Sequence, residues 1–150
     1  MKPSEQFTHW QEVRRGLIET IDKFEEGQLS YMPFPDSFSV AEIMLHIADA
    51  EDGWFRHVVT KELDTWPSHY TVENYPDLPA IKGILTHVHQ TTEKYLESLS
   101  ESDLAMVIEL PWGNSIALHW IIWHILEHEI HHRGELSLIL GMLGKEGLDV

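Results

Sequence analysis

The chain has 150 residues, 43% of them hydrophobic, and its 25 acidic residues against 10 lysines and arginines give a formal net charge of −15. This composition is typical of one globular domain with its own core, so we expect a single domain over 1–150, and the acidic charge argues against nucleic-acid or anionic-membrane partners. Since cysteine is absent, disulfides, thiolate metal ligands and a cysteine nucleophile are excluded.

The N-terminal half of the sequence predicts two long helices. The first runs from about Ser4 to Glu26, and the segment "SYMPFPDSF" after it contains two prolines, which is typical of a loop. The second begins at Ser39 with the residues "SVAE". This start fits a capping box, because the side chains of Ser39 and Glu42 can each satisfy a free backbone N–H. We expect the second helix to continue to about Leu63.

The C-terminal half predicts two more helices. The irregular segment "DTWPSHYTVENYPDLP" leads to a third helix from about Asp77 to Leu99. In the next segment "MVIEL" could form a short strand, and Pro111 and Gly113 break any helix. The fourth helix runs from about Ser115 to Leu143. Four helices of this length predict an all-α fold, a four-helix bundle with long connections.

No segment predicts secretion or membrane insertion. The N-terminus "MKPSEQFTHW" lacks the apolar run of a signal peptide. The most apolar stretch, "SIALHWIIWHIL", is too short and too rich in histidine to span a bilayer. We therefore expect a soluble cytoplasmic protein.

The fourth helix carries the densest group of histidines, in "HILEHEIHHRGEL". On a helical projection, His128 and His132 lie near the centre of the apolar stripe. The stripe also contains Ala117, Ile121, Ile125, Ile139 and Leu143, all within about 60° of His128. Histidines four residues apart can approach one metal ion, but a pair of hydrogen-bonded core histidines fits the spacing equally well. A metal site would need a third ligand from another helix.

Three polar residues flank this pair. His124 and His131 flank the pair on the projection and Glu135 also faces inward, although all three fit ordinary polar groups at the edge where the stripe meets solvent. Glu135 lies one turn beyond His131 and His132 and could accept an N–H from either ring, as a carboxylate behind a metal ligand does. We therefore keep His124 and His131 as candidate residues surrounding the ligands, and Glu135 as a candidate catalytic residue.

Two known metal architectures fit the sequence poorly. His128 to His132 matches the protease pattern H-E-x-x-H, but the metzincin extension requires Gly at Glu135 and His at Leu138. A di-iron bundle requires a second Glu-x-x-His motif, which the sequence lacks. Glu129 falls about 100° from His128 on the projection, on the flank of the stripe, and receives no assigned role.

The whole pattern resembles the DinB-like (DNA-damage-inducible) family. "HILEHEIHHRGEL" is similar to the H-x-x-x-H-R-G-Q signature on that family's last helix, "SVAEIMLHIADAEDGWF" to its second-helix motif, and "LPWGNSIAL" to its turn before the last helix. The resemblance implies a four-helix bundle, often dimeric. It also implies one zinc or nickel ion held by His46, His128 and His132. Glu135 replaces the family's usual Gln, so the surroundings of the metal can differ.

His46 is selected by the resemblance and not by its spacing. It falls at the border of the second helix's broad apolar surface. His9, His87 and His89 are alternatives that spacing leaves open. His57 shares the flank of His46 but lies about 16 Å further along the helix axis, so both cannot bind one metal ion.

The resemblance also implies an activity: relatives use the metal to activate a low-molecular-weight thiol for transfer to, or isomerisation of, an electrophile. Because this chain has no cysteine, the sulfur would come from a co-substrate. We therefore predict a metal-dependent enzyme acting on a small molecule in a pocket lined by Trp54 and Trp112. Two alternatives stay open, namely a metal-dependent hydrolase and a metal- or ligand-binding stress-response module without turnover. The apolar breadth of the second helix favours a homodimer.

Overall fold

The computed structural model describes residues 1–149, and helices dominate it. The helices are α1 (Pro3–Gln6), α2 (His9–Ile21), α3 (Val40–Asp52), α4 (Leu78–Ser98) and α5 (Leu118–Met142). The four long helices α2 to α5 form an all-α bundle, in which α3 packs against α4 and α5, and α2 packs against α5 and α4. None of the helices in the described part of the chain has the length and apolarity that a bilayer crossing requires.

The predicted first helix is divided in the structure. The chain bends at Phe7 and Thr8 between α1 and α2, where Phe7 is buried and its ring packs edge-on against Trp123 of α5. Helix α2 then ends at Ile21, and Glu26–Gln28 forms a separate 3-10 turn. Burial of Phe24 after the end of α2 turns the chain back towards the core, which the helical pattern did not predict.

Helix α3 begins as predicted and changes its geometry halfway. The capping box is confirmed: Glu42 N–H donates to Ser39 Oγ (3.3 Å) and Ser39 N–H donates to Glu42 Oε2 (2.7 Å). After Asp52 the helix continues as a π-helical segment, Gly53–Val59, and does not reach Leu63. The Trp66 ring packs so closely on Gly53 that a Cβ atom there would lie 2.3 Å from it, so only glycine fits.

Helix α4 matches its prediction, whereas the start of α5 does not. Asp77 caps α4 by accepting a hydrogen bond from Ala80 N–H (2.9 Å). The predicted strand in "MVIEL" is confirmed as β1 (Val107–Glu109), but its antiparallel partner β2 (Ser115–Ala117) occupies the predicted first turn of the last helix. Positive φ angles at Gly113 and Asn114 form the tight turn between the strands.

The core consists of two apolar clusters separated by a layer of charge. One cluster contains Leu17, most of α3 and the C-terminal half of α5; the other contains Trp10, the π-helical segment and the N-terminal half of α5. Between them lies a buried polar group to which each long helix contributes one ionisable residue. These residues are Arg14, Glu51, His89 and Glu129, and we name them the buried ionic cluster.

Candidate metal centre

Three histidines from two adjacent helices meet on one side of the bundle. His46 lies on α3, and His128 and His132 lie one turn apart on α5, which packs directly against α3. Nε2 of His128 is 3.1 Å from Nε2 of His46 and also 3.1 Å from Nε2 of His132. The structure thus brings together the three residues predicted as metal ligands, and we name them the histidine cluster.

A carboxylate holds the outer nitrogen of two of these rings. His132 Nδ1 donates a hydrogen bond to Glu135 Oε2 (2.6 Å), and His46 Nδ1 donates to Asp49 Oδ2 (3.3 Å). A proton on Nδ1 leaves the Nε2 lone pair of the same ring free. His46 and His132 therefore both direct an unprotonated nitrogen towards the centre of the cluster, which is the tautomer that a metal ligand needs.

The surroundings of two of the three rings favour the neutral form of the imidazole. Burial, together with the neighbouring His132 and His46, lowers the pKa of His128 from its ordinary value of 6.5 to about 3. Burial also lowers the pKa of His132, although Glu135 acts in the opposite direction. The rings of His128 and His132 are therefore neutral at neutral pH, and the Nε2 lone pair of His132 is available to a metal ion.

These residues fit a divalent metal ion in donor type and spacing. Neutral imidazole nitrogens are common ligands of zinc, at about 2.0–2.1 Å from the ion. Two tetrahedral ligands at that distance lie roughly 3.3 Å apart, close to the 3.1 Å between the Nε2 atoms. A cation between the rings would satisfy lone pairs that otherwise face one another.

Asp49 is a site residue that the sequence interpretation missed. One oxygen of Asp49, Oδ2, accepts the hydrogen bond from His46. The other, Oδ1, accepts a hydrogen bond from the indole N–H of Trp66. The long connection between α3 and α4 is thereby attached to the histidine cluster through one carboxylate. A signal for Asp49 was present, since His46-x-x-Asp49 repeats the spacing of His132-x-x-Glu135.

The flanking residues lie in different places around the cluster. Glu135 contacts His132 and also lies 3.3 Å from Nε2 of the exposed His131. His124, one turn before His128, stacks on Trp120 with 4.9 Å between ring centroids. Glu135 and His131 therefore adjoin the cluster on its C-terminal side, and His124 adjoins it on the N-terminal side.

The two tryptophans predicted to line the pocket, Trp54 and Trp112, lie together close to His124. The Trp54 ring is 5.1 Å from His124 and 5.5 Å from Trp112, measured between centroids, and Trp112 is largely exposed. Their place in a substrate pocket stays a prediction.

The other candidate histidines lie outside the histidine cluster. His9 is exposed and pairs with Glu12 at 2.9 Å, whereas His57 Nδ1 donates to the backbone oxygen of Leu63 (2.9 Å). His87 is exposed on α4. His89 belongs to the buried ionic cluster, so α5 and α3 alone supply the histidine cluster.

Glu129, which had no assigned role, is buried in the core and does not belong to the histidine cluster. Its Oε2 accepts hydrogen bonds from Trp10 Nε1 (2.7 Å) and from Arg14 (2.8 Å). The H-E-x-x-H sequence therefore divides between two sites, since its histidines face one side of α5 and its glutamate faces another. A protease-type role for Glu129 as the base at the metal is inconsistent with this geometry.

The buried ionic cluster is a second group of potential metal ligands, but a cation already occupies it. Ligand atoms of Glu51, His89 and Glu129 lie within 4.8 Å of one another. Arg14 donates to both carboxylates, at 2.6 Å to Glu51 and 2.8 Å to Glu129, and His89 Nδ1 donates to Glu51 (2.9 Å). Burial would raise the pKa of Glu51, but Arg14 and His89 outweigh it and lower that pKa to about 2.

Known proteins share this sequence pattern and this fold. The protein YjoA of Bacillus subtilis (strain 168) is 28% identical over 140 residues, which cover 91% of this chain and 88% of YjoA. The crystal structure of a DinB-like protein from Bacillus cereus ATCC 10987 superimposes with a TM-score of 0.79 at 16% identity, over 96% of this chain and 94% of that one.

A thiol-dependent enzyme shares the fold as well. The mycothiol-dependent maleylpyruvate isomerase has a TM-score of 0.62 and 12% identity, with 88% of this chain and 60% of the isomerase covered. At this identity the likeness concerns the fold alone. The sequence profile of the DinB superfamily matches residues 9–136, which include all three clustered histidines. The chain therefore belongs to the DinB superfamily.

Proposed function

We propose that the chain binds one divalent metal ion, zinc or nickel, through His46, His128 and His132, and that it is a metal-dependent S-transferase. The proposed reaction is the transfer of a low-molecular-weight thiol to an electrophilic small molecule, and the three histidines would hold the ion that activates the thiol. The convergence of three imidazole Nε2 atoms, 3.1 Å apart in two pairs, carries the proposal. Three protein ligands leave a position open, which is the arrangement of catalytic rather than structural zinc sites.

A bound divalent ion lowers the pKa of a thiol or water ligand and so supplies a nucleophile at neutral pH. The chain's own residues orient and tune this site. Since the three histidines are neutral ligands, they leave the full charge of the ion available. Asp49 and Glu135 hold two of the rings in one tautomer and orientation. Glu135 Oε2 is engaged by His132, so its other oxygen, Oε1, is the candidate proton acceptor at the edge of the site, 3.3 Å from Nε2 of His131.

Two observations support a thiol as the co-substrate. The chain has no cysteine, so sulfur chemistry here needs an external thiol. The fold is shared with an isomerase whose name states its dependence on mycothiol. A hydrolase would use the same residues with water as the nucleophile, and a binding module would use them without turnover.

The metal part is tested by elemental analysis of protein purified without added metal or chelator. We expect close to one zinc or nickel per chain in the wild type, and loss of this metal in His46→Ala and in His132→Ala. His9→Ala, which removes an exposed histidine outside the site, is the matched control and should retain the metal. Wild-type protein that contains no metal and takes up none on reconstitution would refute the proposal.

The catalytic part is tested on the metal-loaded protein with a panel of small thiols and electrophiles, followed by loss of free thiol. We expect thiol consumption that requires the electrophile and disappears in His128→Ala, while helical circular dichroism is unchanged. Hydrolysis of esters or amides without thiol, abolished by the same variant, would establish the hydrolase instead. Metal binding with neither activity would leave a binding module.

A further inference from the structure

A cleft of about 600 Å³ lies beside the histidine cluster, between α5 and the loop before α3. His132 and Glu135 form one wall, and the loop residues Phe34 and Phe38 form part of the other. The Phe38 ring is 5.6 Å from the His46 ring, measured between centroids. The cleft therefore opens onto the proposed metal site, and its size is typical of small-molecule sites in proteins.

Most of the cleft surface is apolar and exposed. Phe34, Phe38, Leu138 and Met142 all line it, and each is between 52% and 67% exposed. Ile43 of α3 contributes to its floor. Large apolar side chains that converge on one concave surface leave hydrophobic area in water, and an apolar ligand that covers them would gain free energy.

The charges around the cleft are negative. Asp36 and Glu135 contribute carboxylates, and His132 is the one basic side chain that lines it. Among residues 1–149, no lysine or arginine lines this cleft. An anionic group on the apolar surface of the cleft would be desolvated beside two carboxylates with no lysine or arginine to pair with, which is unfavourable.

We propose that this cleft binds the electrophilic substrate through an uncharged, apolar and aromatic body, and that it excludes anionic small molecules. The inference rests on the proposed function for the identity of the site, because the reactive group of the ligand must reach the side of His132. Apart from His132, the residues that line the cleft lie outside the histidine cluster, so binding to its apolar surface does not require the metal.

Two fluorescent probes that share an aromatic frame test this proposal directly. N-phenyl-1-naphthylamine is neutral, and 1-anilinonaphthalene-8-sulfonate carries a sulfonate on the same ring system. We expect the neutral probe to bind at least roughly tenfold more tightly than the sulfonate. Asp36→Asn should narrow this difference by strengthening sulfonate binding, with the affinity for the neutral probe unchanged. Equal affinities in the wild type would overturn the proposal.

A pair of arginine substitutions on α5 locates the probe. Leu138 lines the cleft and is 67% exposed, whereas Ile130 lies on the same helix outside it and is 39% exposed. Leu138→Arg should weaken binding of the neutral probe at least roughly tenfold, and Ile130→Arg, with the same change in charge, should leave it unchanged. Neutral-probe binding that survives Leu138→Arg would refute the location.

Two further outcomes separate this inference from the proposed function. His46→Ala protein that has lost its metal but still binds the neutral probe would support the cleft independently of the metal. Metal-loaded wild type that binds no neutral probe would refute the cleft and leave the metal proposal intact. A wild-type dimer that binds no probe, and that Leu138→Arg converts to a monomer, would assign the cleft to an interface between two copies and overturn the proposal.

Discussion

Helices α3 and α5 each contribute to two polar groups with opposite properties. The buried ionic cluster receives Glu51 from α3 and Glu129 from α5, both only 1% exposed, and pairs them with Arg14. The histidine cluster receives His46 from α3 and His128 from α5, and these rings are partly open to solvent. Both groups draw residues from α3 and α5, but only the ionic cluster, which also includes Arg14 of α2, contains charges of both signs.

This difference distinguishes a structural group from a binding group. In the ionic cluster the protein supplies its own cation, Arg14, which pairs with both carboxylates, so neither carboxylate needs an external ligand to provide a partner of opposite charge. In the histidine cluster like groups face each other, and the carboxylates of Asp49 and Glu135 bind the outer nitrogens while the inner ones converge. Converging lone pairs next to solvent are satisfied by a cation from outside, and this is why only this group is proposed as a metal site.

Removal of the internal cation should have the largest effect. We expect Arg14→Ala to lower the free energy of unfolding by about 3–5 kcal/mol, because two desolvated carboxylates lose their common partner. Urea unfolding of the metal-free protein measures this. Lys82→Ala is the matched control, since it removes a cation paired with the exposed Asp22, and it should cost less than about 1 kcal/mol. Equal losses in the two variants would remove the distinction between a structural group and a surface pair.

Replacing the carboxylates of Asp49 and Glu135, which bind the outer nitrogens of the histidines, should lower metal affinity without unfolding the protein. We expect Asp49→Asn and Glu135→Gln each to weaken zinc affinity by about 10- to 100-fold, because the ring loses a charged acceptor that fixes its tautomer. Competition titration with a chelating dye measures the affinity. Glu12→Gln, which removes the carboxylate beside exposed His9, should leave the affinity unchanged. Unaltered zinc binding in both site variants would mean that these hydrogen bonds do not support ligation.

The two groups should also respond to acid in different pH ranges. The folded-state pKa of His128 is about 3, below its ordinary 6.5, so the unfolded chain takes up this proton first and stability is lost as the pH falls below 6.5. For Glu51, the pKa of about 2 lies below the ordinary 4.5, so its contribution is retained until the pH falls below 4.5.

As the pH falls from 6.5 to 4.5, the ordinary pKa values of histidine and glutamate, His128 should lose its contribution to stability whereas Glu51 should retain its own. We expect a loss of about 1–2 kcal/mol in the metal-free wild type between about pH 6.5 and 4.5, limited because water reaches the ring. His128→Gln should show a smaller loss in urea unfolding over the same range. An identical pH dependence in this variant would contradict the assignment to His128.

The smallest expected effect comes from the start of the helix that the two groups share. Ser39→Ala removes the side-chain acceptor for Glu42 N–H and should lower the free energy of unfolding by about 1 kcal/mol. Zinc affinity should not change, since the cap lies outside both groups. A large loss of affinity in Ser39→Ala would show that the cluster depends on the exact position of α3 and not only on its own hydrogen bonds.

The bundle and the shared face of His128 and His132 were predictable because they follow local rules, whereas His46 was identified only through the family resemblance. Helical periodicity places His128 and His132 on one face, and the capping residues at Ser39 and Asp77 mark the helix starts that the structure shows. Periodicity did not predict the π-helical segment, because it describes neighbouring residues and not contacts such as that of Trp66 with Gly53, thirteen residues away. Strand β2 was missed for the same reason: three residues become a strand only when β1 pairs with them.

The sequence by itself determined an acidic, cysteine-free helical domain in which two histidines share one face of the last helix. Only the tertiary structure decided which polar residues meet. The tertiary structure separated Glu129 from its sequence neighbour His128. It paired Glu129 with Arg14, which lies on a helix far away in sequence but packed against α5. It also added Asp49 to the histidine cluster. The reason is physical: backbone periodicity is a property of neighbouring residues, whereas the pairing of buried charges depends on which helix faces pack together.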